Sequence, residues 1–394
     1  MALVTYVLGD CPACKTKDAF GNVDVYRTYV LRGCMRCQYR EDVPLPAVRK
    51  KVLYLDQFFF SHAFRGGDAR FVGAAERIAR LASLQLAVAP FSSIHEDETH
   101  QWEKRDELLK FIKKTSRGHE FNPSYEVEKA QILESFQAWL SGGSSADVLN
   151  SEDALDEDVH AWESYMRIDV GRYMGDIELI RDLKRQSSEG LVNLFEGWRQ
   201  LKTSFEEDLE AEHHAAAQGY LNFYVEFAAR VASGDYMAMF DAPVMSLVVQ
   251  AMLQQMDEGL PIEQRIRRCA EFLRSSQFKE LPYQWLHAHM LASLKHLVKK
   301  GFYTNREQAL KKLNGFFYDV KHIATYAPYV DAFVMDQPMA DLVSRPTVNL
   351  AGRYGTQVFS LNNWDSFLAW LDQIEESMDA QHLEGLHLAY PTHV

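Results

Sequence analysis

Four acidic residues stand at positions from which their side chains could meet in one pocket. Asp56 and Asp336 each end a short apolar segment that is predicted to be a buried strand, and Glu98 and Asp319 lie in segments with helical character. Carboxylates crowded in one pocket cannot all stay ionised without a cation. A site made only of oxygen ligands suits Mg²⁺ or Mn²⁺ better than zinc. The sequence therefore predicts a divalent-metal site.

A second metal site is predicted near the start of the chain. Two Cys-x-x-Cys pairs lie 19 residues apart and match a tetrahedral zinc site whose four thiolate ligands would be Cys11, Cys14, Cys34 and Cys37. Residues 1–42 resemble a zinc ribbon, and a unit this small would depend on the metal for its folding free energy. A redox role is open to one pair but would not account for both. Arg32, Arg36 and Arg40 could contact phosphates or form a solvated face of a docking module.

Composition indicates a folded chain of several units with an acidic balance. The 394 residues are enough for two or three domains. A content of 47% hydrophobic and 25% charged residues is typical of a chain that buries a sizeable core. The net charge of −13 argues against a protein that coats nucleic acid in general. Local phosphate contacts are still expected, from a lysine cluster made of Lys299, Lys300, Lys311 and Lys312.

The expected compartment is the cytoplasm, with no membrane partner. No segment has the length and apolar character of a membrane span, and the N-terminus lacks the pattern of a signal peptide. The paired cysteines fit a reducing compartment with a metal site better than a disulfide framework. The fifth cysteine, Cys269, is expected to be a buried apolar residue.

The predicted elements that would position the acidic residues fall in two separated parts of the chain. Strands are predicted at residues 52–56, 86–89, 332–335 and 357–360. Helices are predicted around them at residues 69–85, 92–113, 305–315 and 364–378, and from Asp319 to Pro328. Between the two parts the spacing is helical, beginning with helices at 157–186 and 188–216. We therefore expect an α/β unit built from residues 52–113 and 305–375 and interrupted by an all-α insertion at 114–304.

The order of the acidic residues resembles that of a PIN-like nuclease domain split by a long insertion. The matching segments are Leu55-Asp56-Gln57, Ser93-x-His95-x-x-Glu98, Asp319-Val-Lys-His-Ile-Ala324 and Asp331-Ala-Phe-Val-Met-Asp336. Together the two matching regions cover less than half of the chain. The resemblance implies a three-layer α/β fold with a central, mostly parallel sheet. It also implies a metal-dependent endonuclease that acts on RNA, although several relatives act on DNA or on structured nucleic acid.

Each acidic residue has an expected role in such a site. In a two-metal scheme, one ion lowers the pKa of a water molecule and the other stabilises the leaving oxygen. Asp56 would be a shared metal ligand, with Asp319 and Asp336 as ligands on its flanks. Glu98 would hold metal or position water. Asp331 directly precedes the strand predicted at residues 332–335. It is predicted to be a secondary ligand or a helix-end residue.

Residues near Glu98 leave two assignments open. Asp97 is the alternative to Glu98 as a ligand, although a helix can turn it only partly towards the pocket. His95 lies three residues before Glu98 and shares a helix face with it. We expect His95 to hydrogen-bond and orient Glu98 rather than to bind metal.

Other classes of function stay open on the sequence alone. One is a non-catalytic protein that binds nucleic acid or protein through a degenerate nuclease core, and another is a helical scaffold. The insertion is long enough to shape access to the pocket or to mediate assembly. A protein partner or a second copy of the chain is therefore expected on the insertion or the zinc ribbon. An auto-inhibited effector of antiviral defence or of toxin type is a further hypothesis.

Overall fold

The chain forms two four-stranded sheets. The computed structural model describes residues 2–100, 102–144, 150–155, 158–163, 177–239 and 244–391. The first sheet is an antiparallel meander of β1 (Tyr6–Gly9), β2 (Phe20–Val25), β3 (Tyr29–Cys34) and β4 (Arg40–Pro44). The second is parallel throughout and consists of β5 (Lys51–Leu55), β6 (Ala87–Val88), β7 (Ala332–Val334) and β8 (Gln357–Phe359). The four strands predicted around the acidic residues are those of this parallel sheet.

Helices make up most of the other described residues. Before the long central region they are α1 (Gln57–Arg65), α2 (Ala69–Ser83), α3 (Ser93–Thr99), α4 (Arg105–Thr115), α5 (Ser124–Leu140) and α6 (Ser151–Ala154). The central region contains α7 (Ile177–Gln200), α8 (Phe205–Ala232), α9 (Val244–Gln254), α10 (Ile262–Leu273), α11 (Ser276–Lys279) and α12 (Pro282–Lys299). The last part contains α13 (Arg306–Lys312), α14 (Phe316–Tyr326), α15 (Gln337–Val343), α16 (Leu350–Tyr354), α17 (Trp364–Glu376) and α18 (Ala380–Ala389).

The order of the parallel strands reverses between β5 and β7. Across the sheet the strands run β6-β5-β7-β8. From β5 the chain crosses to β6 on one side, and it later returns to β7 on the other side of β5. Because parallel crossovers are right-handed, the two connections lie on opposite faces of the sheet. The carboxyl ends of β5 and β7 therefore flank the crevice in which open α/β sheets bind ligands.

Side chains of β5 and β7 enter two hydrophobic cores, one on each face of the sheet. Tyr54 and Phe333 stack with 4.3 Å between their ring centroids in the core that contains residues of α12 and α14. Leu55 and Val334 belong to the other core, which contains residues of α1, α2 and α17. Successive residues of a strand face opposite sides, so this alternation follows from the strand geometry. The sheet lies between two helical layers, and the protein is a mixed α/β protein as expected.

The helices of the expected insertion belong to two cores. Leu191 of α7 and Leu286 of α12 join Tyr54 in the core on one face of the sheet. A separate core is enclosed by α5 and the helices α8 to α11, with Tyr220 and Phe272 among its buried residues. One part of the central region therefore covers the sheet, whereas the other part carries its own apolar interior.

Two predicted helix boundaries in these regions are wrong. In place of a break near residue 187, α7 continues to Gln200 and the interruption falls at residues 201–204. Ser204 starts α8 through a capping box with Glu207, and such a box satisfies backbone N–H groups that a helix start leaves free. The helix predicted over residues 92–113 is divided into α3 and α4. Residues 164–176 of the prediction lie outside the described residues.

The antiparallel sheet is fastened to the rest of the chain. Val30 of β3 and Leu45 after β4 are buried in the core that also contains Leu55. The Asn22 side chain donates a hydrogen bond to the Leu388 carbonyl oxygen of α18 at 2.8 Å. The C-terminal residues therefore pack against this sheet as a helix that ends at Ala389.

Among the described residues, no helix combines the length and the apolar character that crossing a bilayer requires.

Candidate functional site

Asp56 and Asp336 lie at the same edge of the parallel sheet. Asp56 follows β5 and Asp336 lies just after β7, and the two strands are paired in parallel with Leu55 opposite Val334. Each aspartate is also the N-cap of a helix: Asp56 Oδ1 accepts from the backbone N–H of Gln57 at 2.7 Å, and Asp336 Oδ1 accepts from that of Met339 at 3.0 Å. A strand followed by a capping aspartate thus fixes each carboxylate at the crevice.

His95 fastens the helix that carries Glu98 to the end of β5. Its Nε2–H donates to the Leu55 carbonyl oxygen at 2.8 Å, and its Nδ1 accepts from the backbone N–H of Ser92 at 2.9 Å. Burial lowers the pKa of His95 to about 4, so the ring is neutral and can fill both roles. The prediction that His95 bonds Glu98 itself is corrected, because both ring nitrogens are directed to backbone groups. It positions Glu98 by holding α3 in place.

Asp319 enters the same crevice from the first turn of α14. This helix begins at Phe316, one turn earlier than predicted, after Gly315 with a φ of 90°. Burial, together with the charges of Asp56, Glu98 and Asp336, raises the pKa of Asp319 well above its usual value. The four carboxylates Asp56, Glu98, Asp319 and Asp336 are called the acidic cluster below.

The charges of the acidic cluster act on one another. Burial raises the pKa of Asp56 to about 8, and the neighbouring charges of Glu98 and Asp336 act in the same direction. Burial also raises the pKa of Asp336. Asp56, Asp319 and Asp336 thus resist ionisation, first because they are buried and then because other negative charges lie nearby. A cation bound among them would remove that penalty, so the donor set fits a hard divalent ion.

Lys184 is the member of this site that sequence reasoning missed. Its Nζ lies 2.6 Å from Glu98 Oε1. Burial acts to lower the pKa of Lys184, but the carboxylates of Glu98, Asp319 and Asp56 outweigh it and raise the pKa. The ammonium therefore stays charged within the acidic cluster. Lys184 is 86 residues from Glu98 in the chain and stands in no motif, so only the packing of α7 reveals it.

The spacing of the acidic cluster differs from that of a preformed single-ion site. Among the described residues, the one group of three or more possible ligands whose atoms all lie within 4.8 Å of one another is the set of four cysteines. The acidic cluster is more open, and the Lys184 ammonium shares it.

Asp331 lies away from the acidic cluster, and its predicted role as a secondary ligand is corrected. Its Oδ2 accepts from the backbone N–H of Val52 at 2.9 Å, and its Oδ1 lies 2.6 Å from Lys51 Nζ. Asp331 precedes β7 whereas Asp336 follows it, so the two carboxylates lie at opposite ends of this strand.

The predicted lysine cluster is divided by the structure. Lys299 donates to the Thr203 carbonyl oxygen at 2.6 Å and forms an ion pair with the buried Asp208, so it links α12 to α8. This partner within the chain replaces the expected phosphate contact. Lys300, Lys311 and Lys312 are exposed.

The four cysteines have the spacing that zinc requires. The Sγ atoms of Cys11 and Cys37 are 3.7 Å apart, and those of Cys14 and Cys34 are 3.8 Å apart. A tetrahedron with Zn–S bonds of about 2.3 Å has edges of about 3.8 Å. The backbone N–H of Arg36 also donates to Cys34 Sγ at 3.2 Å, which favours the thiolate form. The group could therefore hold a zinc ion.

The chain thus presents two candidate sites, the cysteine group and the acidic cluster. The first has the spacing that a zinc ion needs, and the second gathers carboxylates at the carboxyl ends of adjacent parallel strands. Comparisons with protein-family models, with curated proteins and with solved structures found no match for this chain.

Proposed function

We propose that the protein is a metal-dependent endonuclease that hydrolyses phosphodiester bonds, with RNA as the expected substrate. The observation that carries the proposal is the position of Asp56 and Asp336. They follow adjacent parallel strands at the point where the strand order reverses, and ligands of open α/β sheets bind at that point. The PIN-like resemblance of the acidic segments supports the choice of reaction and of RNA.

The carboxylates would hold the ions, with Asp56 between them and Asp319 and Asp336 on its flanks. Bound there, divalent ions would lower the pKa of a water molecule and stabilise charge on the phosphate oxygens. The chain itself would supply alignment and charge. The caps made by Asp56 and Asp336 fix one oxygen of each carboxylate on a backbone N–H, which leaves the other oxygen for a ligand.

Glu98 and Lys184 would position the attacking water and the phosphate. The 2.6 Å contact with Lys184 restrains the Glu98 carboxylate, and α3 is itself held on β5 by His95. A charged ammonium beside the cluster can also donate to a non-bridging phosphate oxygen. Water would be the nucleophile, so this scheme requires no covalent intermediate on the protein.

A cleavage assay with a matched set of variants tests the proposal. Single- and double-stranded RNA and DNA are incubated with the protein in Mg²⁺, Mn²⁺ or EDTA. Asp56→Asn and Asp336→Asn should each reduce metal-dependent cleavage about 100-fold or more, since even the partners of metal ligands contribute 10–100-fold. Asp331→Asn is the control, because it alters the same residue type at the other end of β7 and keeps an acceptor for Val52.

Cleavage that survives both Asp56→Asn and Asp336→Asn, or that persists in EDTA, would exclude the acidic cluster as the reaction centre. Cleavage of DNA but not RNA would keep the site and replace the substrate.

A non-catalytic binding protein is the second candidate, and the Lys184–Glu98 ion pair favours it. An ammonium within the acidic cluster partly neutralises the carboxylates and could take the place of a metal ion. The two candidates differ in whether Mn²⁺ binds. Binding of Mn²⁺ to the wild type that is lost in Asp56→Asn supports the enzyme, whereas no binding at millimolar Mn²⁺ supports the binding protein.

A further inference from the structure

A cavity of about 450 Å³ lies beside the acidic cluster, between α12, α13, α14 and α15. Gln337, which directly follows Asp336, lines it, and so does Phe316, three residues before Asp319. The pKa of Tyr303 in the cavity wall is raised by burial and then by the charges of Asp341 and Asp336. Its volume lies within the range of about 300–1,000 Å³ that is usual for sites of small ligands. The cavity and the acidic cluster are therefore neighbours.

The lining of the cavity includes two cationic side chains that could donate hydrogen bonds to an anion. Lys312 and Arg345 both line it, and Arg345 Nε is buried without a hydrogen-bond partner. The one carboxylate in the wall, Asp341, accepts from the Gln337 amide at 2.5 Å. The Lys312 and Arg345 side chains are both cationic and belong to the lining, so they could donate to the oxygens of a bound phosphate, and arginine binds phosphate with suitable geometry.

The rim of the cavity presents aromatic side chains in a constrained turn. Phe302 lines the cavity and is 51% exposed, so its ring is accessible from solvent. Tyr303 has a φ of 58°, a conformation that bulky residues rarely adopt. Arg199 Nη2 donates to the Tyr303 carbonyl oxygen at 2.7 Å and so helps to hold the turn. Backbone strain of this kind concentrates at functional sites.

We propose that this cavity is a subsite for one nucleotide of the substrate, with the phosphate on Arg345 and Lys312 and the base stacked on Phe302. This inference rests on the proposed nuclease function and adds a place for the nucleotide next to the bond that is cut. Aromatic side chains bind bases of any sequence through their π faces. The subsite therefore predicts recognition of a single strand, whose bases are free to leave the stack.

Binding of mononucleotides to the full chain tests the subsite without requiring cleavage. In EDTA, 5′-AMP, 5′-CMP and inorganic phosphate are titrated into the wild type and into three variants: Phe302→Ala, Lys312→Ala and Arg345→Gln. Phe302→Ala should weaken nucleotide binding about tenfold, the effect expected when one base–aromatic stack is lost. Arg345→Gln should weaken it at least as much, and Lys312→Ala should weaken it to a smaller extent.

Two control variants make the same kinds of substitution, Phe to Ala and Lys to Ala, at positions that do not line the cavity. Phe223→Ala removes an aromatic ring that is 39% exposed on α8, and Lys110→Ala removes an exposed lysine on α4. Both should bind nucleotides like the wild type. Melting temperatures of all variants show whether a loss of binding reflects unfolding.

The outcomes separate this inference from the proposed function. Equal nucleotide binding by wild type and Phe302→Ala, or inorganic phosphate binding as tightly as 5′-AMP, would overturn the subsite. Metal-dependent cleavage whose KM is unchanged in the Phe302 and Arg345 variants would overturn it and leave the nuclease intact. Nucleotide binding that follows the prediction, without any cleavage, would leave a nucleotide site in a protein that is not a nuclease.

Discussion

The Asp56 carboxylate is subject to two opposing effects. It caps α1 through the N–H of Gln57, yet it is enclosed with the other carboxylates of the acidic cluster. Its pKa of about 8 means that its charged form is disfavoured in the folded protein without metal. The free-energy cost of this arrangement is expected at a site that is built to bind a cation rather than to stabilise the fold.

The Asp56→Asn variant should therefore be more stable than the wild type in metal-free buffer. The pKa of Asp56 is raised from 3.8 to about 8, so the wild type loses unfolding free energy as the pH rises through this window. The variant lacks this titration, and above pH 8 its unfolding free energy should be higher by at least about 1 kcal/mol, the value of one pKa unit. Urea titrations at pH 5 and pH 8.5 in EDTA measure the difference. Equal pH dependence for both proteins would contradict the assignment.

Lys184 should weaken metal binding by its charge. Its ammonium is attracted by Glu98, Asp319 and Asp56, three of the residues expected around the ions. Lys184→Gln removes the positive charge and should tighten Mn²⁺ binding about tenfold, which corresponds to about 1.4 kcal/mol. Calorimetric titration measures the affinity. Lys279→Gln, which breaks a Lys–Glu pair with Glu210 outside the site, is the control. Weaker Mn²⁺ binding by Lys184→Gln would show that the lysine supports the site instead.

At the scale of elements, α3 shows how a short helix can be placed with accuracy. It has only seven residues, and isolated helices of that length are not stable. The capping Ser92 and the buried His95 tie it to β5, so the strand that positions Asp56 also positions Glu98. The placement of Glu98 depends on a neutral histidine.

Acid should loosen this attachment. The pKa of His95 is lowered from 6.5 to about 4, so the folded state favours neutral His95 and loses stability as the pH falls from about 6.5 towards 4. His95→Gln should be less stable than the wild type at pH 7. The difference between the two proteins should shrink by about 1 kcal/mol or more at pH 4, since each pKa unit corresponds to 1.36 kcal/mol. Denaturant titrations at both pH values test this, and a difference that stays constant with pH would contradict it.

Sequence patterns predict the positions of the strands at the acidic residues more closely than they predict the ends of the helices. The strands that lead to Asp56 and Asp336 are each a short apolar run that ends near an aspartate, a pattern that is local in the chain. The predicted break near residue 187 is wrong, since α7 continues through that residue to Gln200. The local signal for the start of α8 is the capping box at Ser204. Periodicity records which face of a helix is buried but only weakly records where the helix ends.

At the scale of the whole molecule, the cysteine unit is part of the fold rather than an appendage. Its own core is small and contains Cys11, Ala19, Phe20 and Cys34. Val30 and Leu45 extend from it into a core of the parallel sheet, and Asn22 bonds to the last helix. A metal in the cysteine group would therefore support the surface on which part of the α/β unit is packed.

Loss of zinc should therefore destabilise the α/β unit as well as the zinc ribbon. Elemental analysis should find one zinc ion per wild-type chain and none in Cys34→Ser, and the melting temperature of this variant should fall. A small metal-dependent unit loses its fold with its metal, and a loss of a few kcal/mol corresponds to several degrees or more in a chain of this size. Cys269→Ser, at the cysteine outside the ribbon, should keep its zinc. Wild-type protein that contains no zinc would contradict the assignment.

Sequence patterns predict the local parts of this protein: the strands that end near Asp56 and Asp336, the helical character of the central region and the two cysteine pairs. Each depends on residues that are close together in the chain, where periodicity and spacing directly report backbone geometry. Tertiary structure alone decided that Lys184 enters the acidic cluster, that Asp331 lies at the opposite end of β7 from Asp336, and that Lys299 binds Asp208. The Lys184–Glu98 and Lys299–Asp208 pairs join residues 86 and 91 positions apart. Such contacts depend on how helices pack across the molecule, which no local pattern specifies.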